Sequence, residues 1–293
     1  MNNLVVKDNA LINASYSLSL VEQRLILLAI IAARNERKVI DEKTKIAVSA
    51  DSYINQFGTH RTTAYQALKD ACNNLFNRYF TYQEKNGGIA TMKSRWVSKI
   101  GYVDEFAVVK ITFAPDVIPL ITELESRFTQ YELEQVSSLS SVYAVRLYEL
   151  LIMWRSTGKT PMIELYELRN KVGVLDGEYA AMHNFKKRVI DVALEQINEH
   201  TDITVSYEQH KQGRVIVGFS FTFKFKKPRK TTSNTALDTK PSTKAAPDEN
   251  ALKNEALSQF LGYQQQAKIL NESIEQLATE KEIQRFKEYG FMK

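Results

Sequence analysis

Cysteine occurs once in this chain of 293 residues, at Cys72, and histidine four times, at His60, His183, His200 and His210. One cysteine cannot close a disulfide within the chain, so a reducing cytoplasm is the expected compartment. No two histidines stand as His-x-His, and neither HExxH nor CxxC occurs. A zinc site is therefore not expected, nor is a DNA-nicking centre built on a metal-binding histidine pair. Long apolar runs are missing as well. The most apolar stretch, LVEQRLILLAIIAAR, is interrupted by Glu22 and Arg24 and is too short to span a bilayer. The opening residues lack the basic-then-apolar pattern of a signal peptide, so no membrane is expected among the partners.

Catalytic patterns are equally scarce. Gly158-Lys159-Thr160 imitates the end of a phosphate-binding loop, but the glycine that such a loop needs five residues earlier is Met153, and Pro161 follows. The segment reads as a turn. The carboxylate pairs Glu123/Glu125 and Glu132/Glu134 lie in polar, irregular surroundings that offer no pocket to shift a pKa. Cys72 sits in the amphipathic stretch ALKDACNNLF and reads as a small buried residue. The expectation is a protein that is not an enzyme and holds no cofactor or metal.

Positive charge is present and unevenly spread. The net charge is +5. Residues 180–230 hold ten Lys/Arg against five Asp/Glu, which equals the whole excess, and residues 211–230 hold seven bases and no acid. Such concentration is the electrostatic footprint of nucleic-acid binding; a solvated face is the alternative.

The order of elements gives that charge a context. SLVE opens a helix over residues 16–35 with a capping box, Ser19 and Glu22. SADSYINQFG is a short helix ending at Gly58. THRTTAYQALKDACNNLFNR is a longer one with the apolar stripe Ala64, Leu68, Ala71, Leu75. Alternating strands follow around a turn at Asn86-Gly87-Gly88. Short helix, turn, longer helix and hairpin outline a winged helix-turn-helix. The succession then recurs: a connecting helix SSVYAVRLYELLIMWR, a short helix ending at Gly173, the long helix YAAMHNFKKRVIDVALEQINEH, and strands around Lys211-Gln212-Gly213. Phe219, Phe221, Phe223 and Phe225 alternate, which predicts one buried strand face. The fold class is α+β, with two tandem winged-helix domains over 1–130 and 131–227. A polar, Pro/Ser/Thr-rich linker over 228–250 and a helical C-terminal extension over 251–293 complete the chain.

The long helix of the second half holds a contradiction. Its apolar residues keep helical spacing, yet Lys186, Lys187 and Arg188 fall in what reads as its first turn, where the backbone dipole already places positive charge. Bases there cost stability, roughly 0.3–1 kcal/mol each at an exposed site. DNA reverses that sign, because a reading helix presents this end to the major groove and each neutralised phosphate releases counterions. Arg188 suits a guanine edge and Asn184 an adenine; a solvated face is the alternative for Arg188. Lys211 and Arg214 flank the hairpin tip and can follow the phosphate backbone. In the first half, His60, Arg61, Thr62, Thr63 and Tyr65 occupy the equivalent helix start, with Lys69 a turn further on. Thr62 or Thr63 serves there either as a phosphate contact or as an N-cap. Lys93 and Arg95 follow the first hairpin turn as further candidates for the backbone.

Three stretches resemble one known family. NASYSLSLVEQRLILLAI is similar to its opening helix, SRFTQYELEQVSSLSSVYAVRLYELL to its inter-domain segment, and YAAMHNFKKRVIDVALEQINEHTDITVSYEQHKQGRVIVGFSF to its second reading helix and wing. On these residues the chain, over about 10–226, is identified as a member of the Rep family of replication initiators of iteron-containing plasmids. The resemblance implies two winged helices that bind double-stranded DNA: direct repeats at a plasmid origin as monomers, and an inverted repeat at the protein's own promoter as dimers. It also implies origin opening, self-association, copy control, and recruitment of a host initiator, helicase and chaperones in a bacterial cytoplasm. The family's main base contacts fall on Lys186, Lys187 and Arg188. A dedicated transcriptional repressor of the same fold is the alternative function. THRTTAYQ departs from the family pattern, and the segment after Pro228 has no counterpart in it.

Overall fold

The computed structural model describes residues 3–35, 39–85, 89–122 and 128–226, together with 256, 260, 263–264, 267 and 273–292. The chain divides into two compact units, Met1–Lys226 and Lys227–Lys293. In the first unit, β1 (Leu4–Asp8) leads into the short α1 (Asn9–Asn13), which the Asp8 carboxylate caps by accepting from the Ala10 N–H at 2.6 Å. Helix α2 (Leu20–Asn35) starts at the expected capping box: the Ser19 N–H donates to the Glu22 carboxylate at 2.7 Å, and the Glu22 N–H returns to Ser19 Oγ at 3.3 Å.

The two winged helices share one sheet topology. In the first, β2 (Ile46–Ser49), α3 (Ala50–Phe57) and α4 (Arg61–Leu75) precede the hairpin β3 (Tyr79–Lys85) and β4 (Ile89–Arg95), then β5 (Val97–Val103) and β6 (Val108–Phe113). The strands of its main sheet run in the order β2-β6-β5. Helix α5 (Pro119–Thr122), β7 (Phe128–Glu132), α6 (Glu134–Ser137) and α7 (Val142–Ile152) lead to the second. There β8 (Ile163–Glu164) and α8 (Leu165–Val172) precede α9 (Met182–Phe185) and α10 (Asp191–His200), then β9 (Ile203–Gln212) and β10 (Val215–Phe225), with sheet order β8-β10-β9. In both, the strand before the short helix pairs with the last strand, which pairs with the one before it.

This correspondence corrects the expected wing of the first half. The Gly-rich turn expected at 86–88 lies outside the described residues, and the hairpin that flanks it, β3–β4, forms a two-stranded sheet of its own. The strands that match the second wing are β5 and β6, whose connection passes through Asp104–Ala107. Turn chemistry is a local signal, whereas sheet membership is decided by which strand covers the core: Val97, Val109, Ile111 and Phe113 are buried with α4.

Two hydrophobic clusters fill the unit. One gathers Leu25, Ile26, Ile30, Leu68, Leu75 and Trp96 of the first half. The other gathers Leu147, Leu151, Phe185, Ile190, Phe219 and Phe221 of the second half, and also takes Val5, Ile12, Leu27 and Ile31 from the chain's start. Helix α2 contributes to both, which is why it is apolar nearly all round. Between the clusters lies a buried polar knot. Lys7 Nζ is 2.6 Å from Glu149 Oε1, which also accepts from the Tyr131 hydroxyl at 2.6 Å. The Arg146 guanidinium donates to Glu149 at 2.8 Å, to the Ile12 and Ala14 carbonyls at 2.9 Å, and to the Lys171 carbonyl at 3.0 Å.

Of the four alternating phenylalanines, Phe219, Phe221 and Phe223 are buried, but Phe225 is 47% exposed. The strand runs past the edge of the core there, and Phe225 lies beneath the Arg155 guanidinium at 5.8 Å instead. In the second unit, α11 (Ile274–Leu277) and α12 (Glu280–Glu288) both begin at capping boxes. Phe286 of α12 is buried, with the rings of Phe260 and Tyr263 at 5.4 and 6.0 Å. Among the described residues no helix is long and apolar enough to cross a membrane, and no group of acids, histidines and cysteine could hold a metal ion.

Candidate nucleic-acid interface

The long helix of the second half starts at Met182, with Ala181 as its N-cap. Its middle, Lys186–Ile190, is a π turn, marked by the Asp191 N–H donating to the Lys186 carbonyl five residues back. The inward row explains the wider turn: Phe185 and Ile190 are five apart and both buried, and Val189, Ala193, Leu194 and Ile197 continue the face. Such turns are rare and gather at functional sites.

This start corrects the expected electrostatics. Lys186, Lys187 and Arg188 lie in the second turn, beyond the first-turn range of the dipole, so they cost less stability than an N-terminal cluster. Lys187 and Arg188 are exposed, and Lys186 is half-buried. His183 and Asn184, one turn earlier, are exposed as well. Among the described residues none of the three bases has an ion-pair partner. The helix thus presents four polar residues on its outer side while its inner side is sealed.

The wing stands against this helix. The Tyr207 hydroxyl of β9 donates to the Asp191 carboxylate at 3.1 Å, just past the π turn. At the tip Gly213 adopts φ +62°, which a turn of this tightness requires, and Lys211 and Arg214 are exposed on either side. A register shift between Ile216 and Gly218 bends the ribbon. Gly218 has no room for a side chain, since a Cβ would lie 2.5 Å from the Ile163 carbonyl.

The equivalent site of the first half is more engaged with itself. His60 is the N-cap of α4, with no side-chain hydrogen bond, so neither Thr62 nor Thr63 caps the helix; both are exposed in its first turn. Arg61 pairs with Asp51 at 2.7 Å, Tyr65 is half-buried, and Lys69 pairs with Asp104 of the β5–β6 connection. Lys93 and Arg95 lie on the extra hairpin. Lys93 is 3.5 Å from the centre of the Tyr79 ring, and Arg95 donates to the Phe76 carbonyl beyond the end of α4. That second contact is a helix-end cap.

The other sequence features resolve plainly. Gly158 has φ +65° and Thr160 is buried: its N–H donates to the Phe221 carbonyl at 2.9 Å, and its Oγ1 accepts from the Phe221 N–H at 3.0 Å. The stretch is a turn laid on β10. Burial pushes the Cys72 thiol up to about 11, so little thiolate exists near neutrality. Glu132 and Glu134 are exposed, and Glu123 and Glu125 lie outside the described residues. The Lys7–Glu149 bridge has no signal in residue spacing, because its two members lie 142 residues apart.

A repeated strand–helix–helix–hairpin unit, with a basic face on the second long helix, defines a tandem winged-helix DNA-binding protein. Residues 4–152 match the family model described as initiator replication protein, WH1, and residues 164–223 that described as initiator Rep protein, WH2. The chain belongs to this family of plasmid replication initiators. A replication initiation protein of Escherichia coli is 25% identical over 222 residues, 73% of this chain and 67% of the relative. An uncharacterized 27.6 kDa protein of Escherichia coli is 24% identical over 220 residues, 72% and 92% respectively. Among solved structures, the Pi initiator protein in complex with iteron DNA shares the fold, with a TM-score of 0.63 at 20% identity over 77% of this chain and 98% of that one. The WH1 domain of MSBI1.176, a replication protein isolated from a multiple sclerosis patient, is 63% identical, covering 40% of this chain and 91% of that one, with a TM-score of 0.35.

Proposed function

We propose that this chain initiates plasmid replication by gripping direct DNA repeats at the origin with both winged helices, the second making the main base contacts. The observation that carries this reading is the exposed, unpaired Lys187–Arg188 pair beside Asn184 on the outer side of a helix whose inner side is fully packed. Lys186, Lys187 and Arg188 supply phosphate and guanine contacts, Asn184 an adenine contact, and Lys211 and Arg214 follow the backbone from the wing. His60, Arg61, Thr62, Thr63, Tyr65 and Lys69 serve the first half in the same way. There Arg61 and Lys69 must exchange Asp51 and Asp104 for phosphate, which makes that grip the weaker of the two. Lys93 and Arg95 add outer contacts from the β3–β4 hairpin.

The reading is non-enzymatic: binding strains and opens the origin and recruits the host initiator and helicase. It places the protein in the bacterial cytoplasm. A dimeric form represses the protein's own promoter through an inverted repeat, with host chaperones setting the balance between the two forms. The test is the joint replacement K186A/K187A/R188A, titrated against repeat-bearing origin duplex in moderate salt. Specific binding should fall to the level of a random duplex while the circular-dichroism spectrum stays unchanged. The salt dependence should flatten by about 0.9 for each phosphate that the variant no longer neutralises. Unchanged affinity refutes the assignment.

A further inference from the structure

The long helix of the second half begins without a cap of its own. Ala181 at the N-cap offers no side-chain acceptor, so nothing within the helix fixes its start. The restraint comes from the preceding helix. Arg169 of α8 donates through Nη1 to the Tyr179 carbonyl at 3.2 Å and through Nη2 to the Glu178 carbonyl. The same guanidinium lies 4.7 Å from the centre of the Phe185 ring. Phe185 is fully buried and meets Phe219 of β10 edge-on at 6.3 Å. One planar side chain therefore joins α8, the connecting loop and the first buried residue of the reading helix.

The loop is shaped to present those carbonyls. The Leu175 N–H donates to the Glu178 carboxylate at 3.0 Å, and the Glu178 N–H returns to the Leu175 carbonyl at 3.1 Å. Tyr179 adopts φ +46°, a conformation that a non-glycine residue keeps only where its surroundings over-determine it. Its ring meets that of Tyr143 edge-on at 6.1 Å.

We propose that Arg169 is a positioning residue for DNA reading: it sets the starting point and tilt of the helix carrying His183, Asn184, Lys187 and Arg188, without touching DNA. This rests on the reading of that helix as the base-reading element. Base-edge hydrogen bonds fail with displacements of a fraction of an ångström, whereas charge–phosphate attraction falls off slowly with distance. Loosening the helix start therefore costs discrimination more than total affinity. Lysine is no substitute, because an ammonium can neither fork to two carbonyls nor lie flat on a ring.

The test uses full-length R169A and R169K and two measurements. Binding is titrated over a salt series to a duplex carrying one repeat defined by footprinting beside the gene, and to a random duplex of equal length. The ratio of the two affinities should fall at least ten-fold in R169A, and R169K should recover less than half of that loss on a logarithmic scale. The salt slope should not change. A slope flattened by about 0.9 with the ratio intact means that Arg169 holds a phosphate, and overturns the proposal. Hydrogen exchange without DNA is the second measurement. The Phe185 amide, bonded to Ala181 at 3.1 Å, and the Lys186 amide, bonded to Met182, should exchange at least ten-fold faster in both variants, while the Ile197 amide stays slow. Unchanged exchange overturns the positioning role. If R169A loses protection throughout, R169K carries the comparison. A wild-type chain that fails to prefer the repeat refutes the base-reading assignment instead, and the exchange arm still decides whether Arg169 holds the helix start.

Discussion

Arg146 and Glu149 stand one turn apart on α7, with Nη1 and Oε2 separated by 2.8 Å and only 1% of either side chain exposed. Two buried cations, Lys7 and Arg146, share this one carboxylate, which also accepts from the Tyr131 hydroxyl, while the Tyr16 hydroxyl and three backbone carbonyls accept from the Arg146 guanidinium. The knot ties β1, the segment after α1, β7 and the end of α8 to a single helix. Breaking one member leaves charge without a partner among side chains that are almost fully buried, which is the costly case for a buried pair.

The Glu149 carboxyl gives the first prediction. Burial works against its charge, but Lys7 and Arg146 outweigh that and hold it below the ordinary 4.5. A depressed carboxyl contributes stability that is complete above its unfolded value and is lost as pH falls through its folded value. Urea unfolding should therefore show this contribution intact above pH 4.5 and declining below it. Glu149→Gln keeps the shape and removes the charge. It should cost about 3–5 kcal/mol at neutral pH and shrink the acid decline. A variant as stable as the parent at pH 7 would contradict the geometry.

Gly173 ends α8 with φ +86°, and a Cβ there would sit 2.6 Å from the Tyr16 carbonyl. Gly173→Ala should destabilise by upwards of about 1 kcal/mol, through both the backbone conformation and the contact. Gly177 has a similar φ of +84° with nothing within 4 Å, so Gly177→Ala isolates the backbone part. Thermal unfolding of the pair should rank Gly173→Ala clearly lower.

Thr160 tests the imitation phosphate loop. Thr160→Ala leaves the buried Phe221 N–H without its acceptor and should cost about 1–3 kcal/mol. A nucleoside triphosphate with magnesium should leave the melting temperature of the parent chain unchanged. A rise that depends on nucleotide concentration would mean that the turn binds phosphate after all.

A chain ending at Lys226 should fold and keep its affinity for the repeat duplex within about two-fold, because Met1–Lys226 is a compact unit by itself. Loss of binding in gel-shift titrations would make the C-terminal unit part of the grip.

Local patterns explain what the sequence revealed. The capping box at Ser19, the left-handed glycines 58 and 173, and the stripe from Ala64 to Leu75 are short-range signals, and each element formed where they stand. What escaped was decided by long-range pairing. The Asn-Gly-Gly sequence after Lys85 is a turn signal beside β3–β4, while the sheet that matches the second wing uses β5–β6, since β6 is the strand that pairs with β2. The bases at 186–188 were legible as a cluster but not as a second turn, because the helix start depends on Arg169 reaching across from α8. The Lys7–Glu149 bridge spans 142 residues, beyond any spacing rule.

Val5 and Ile12 pack within the second half's cluster, and Lys7 reaches Glu149 on α7. The two modules are therefore not interchangeable cassettes. A hybrid initiator that imports the downstream half from a relative, to redirect it to another origin, must import the matching first thirteen residues too. During synthesis those residues emerge more than a hundred residues ahead of the helix that Lys7 reaches.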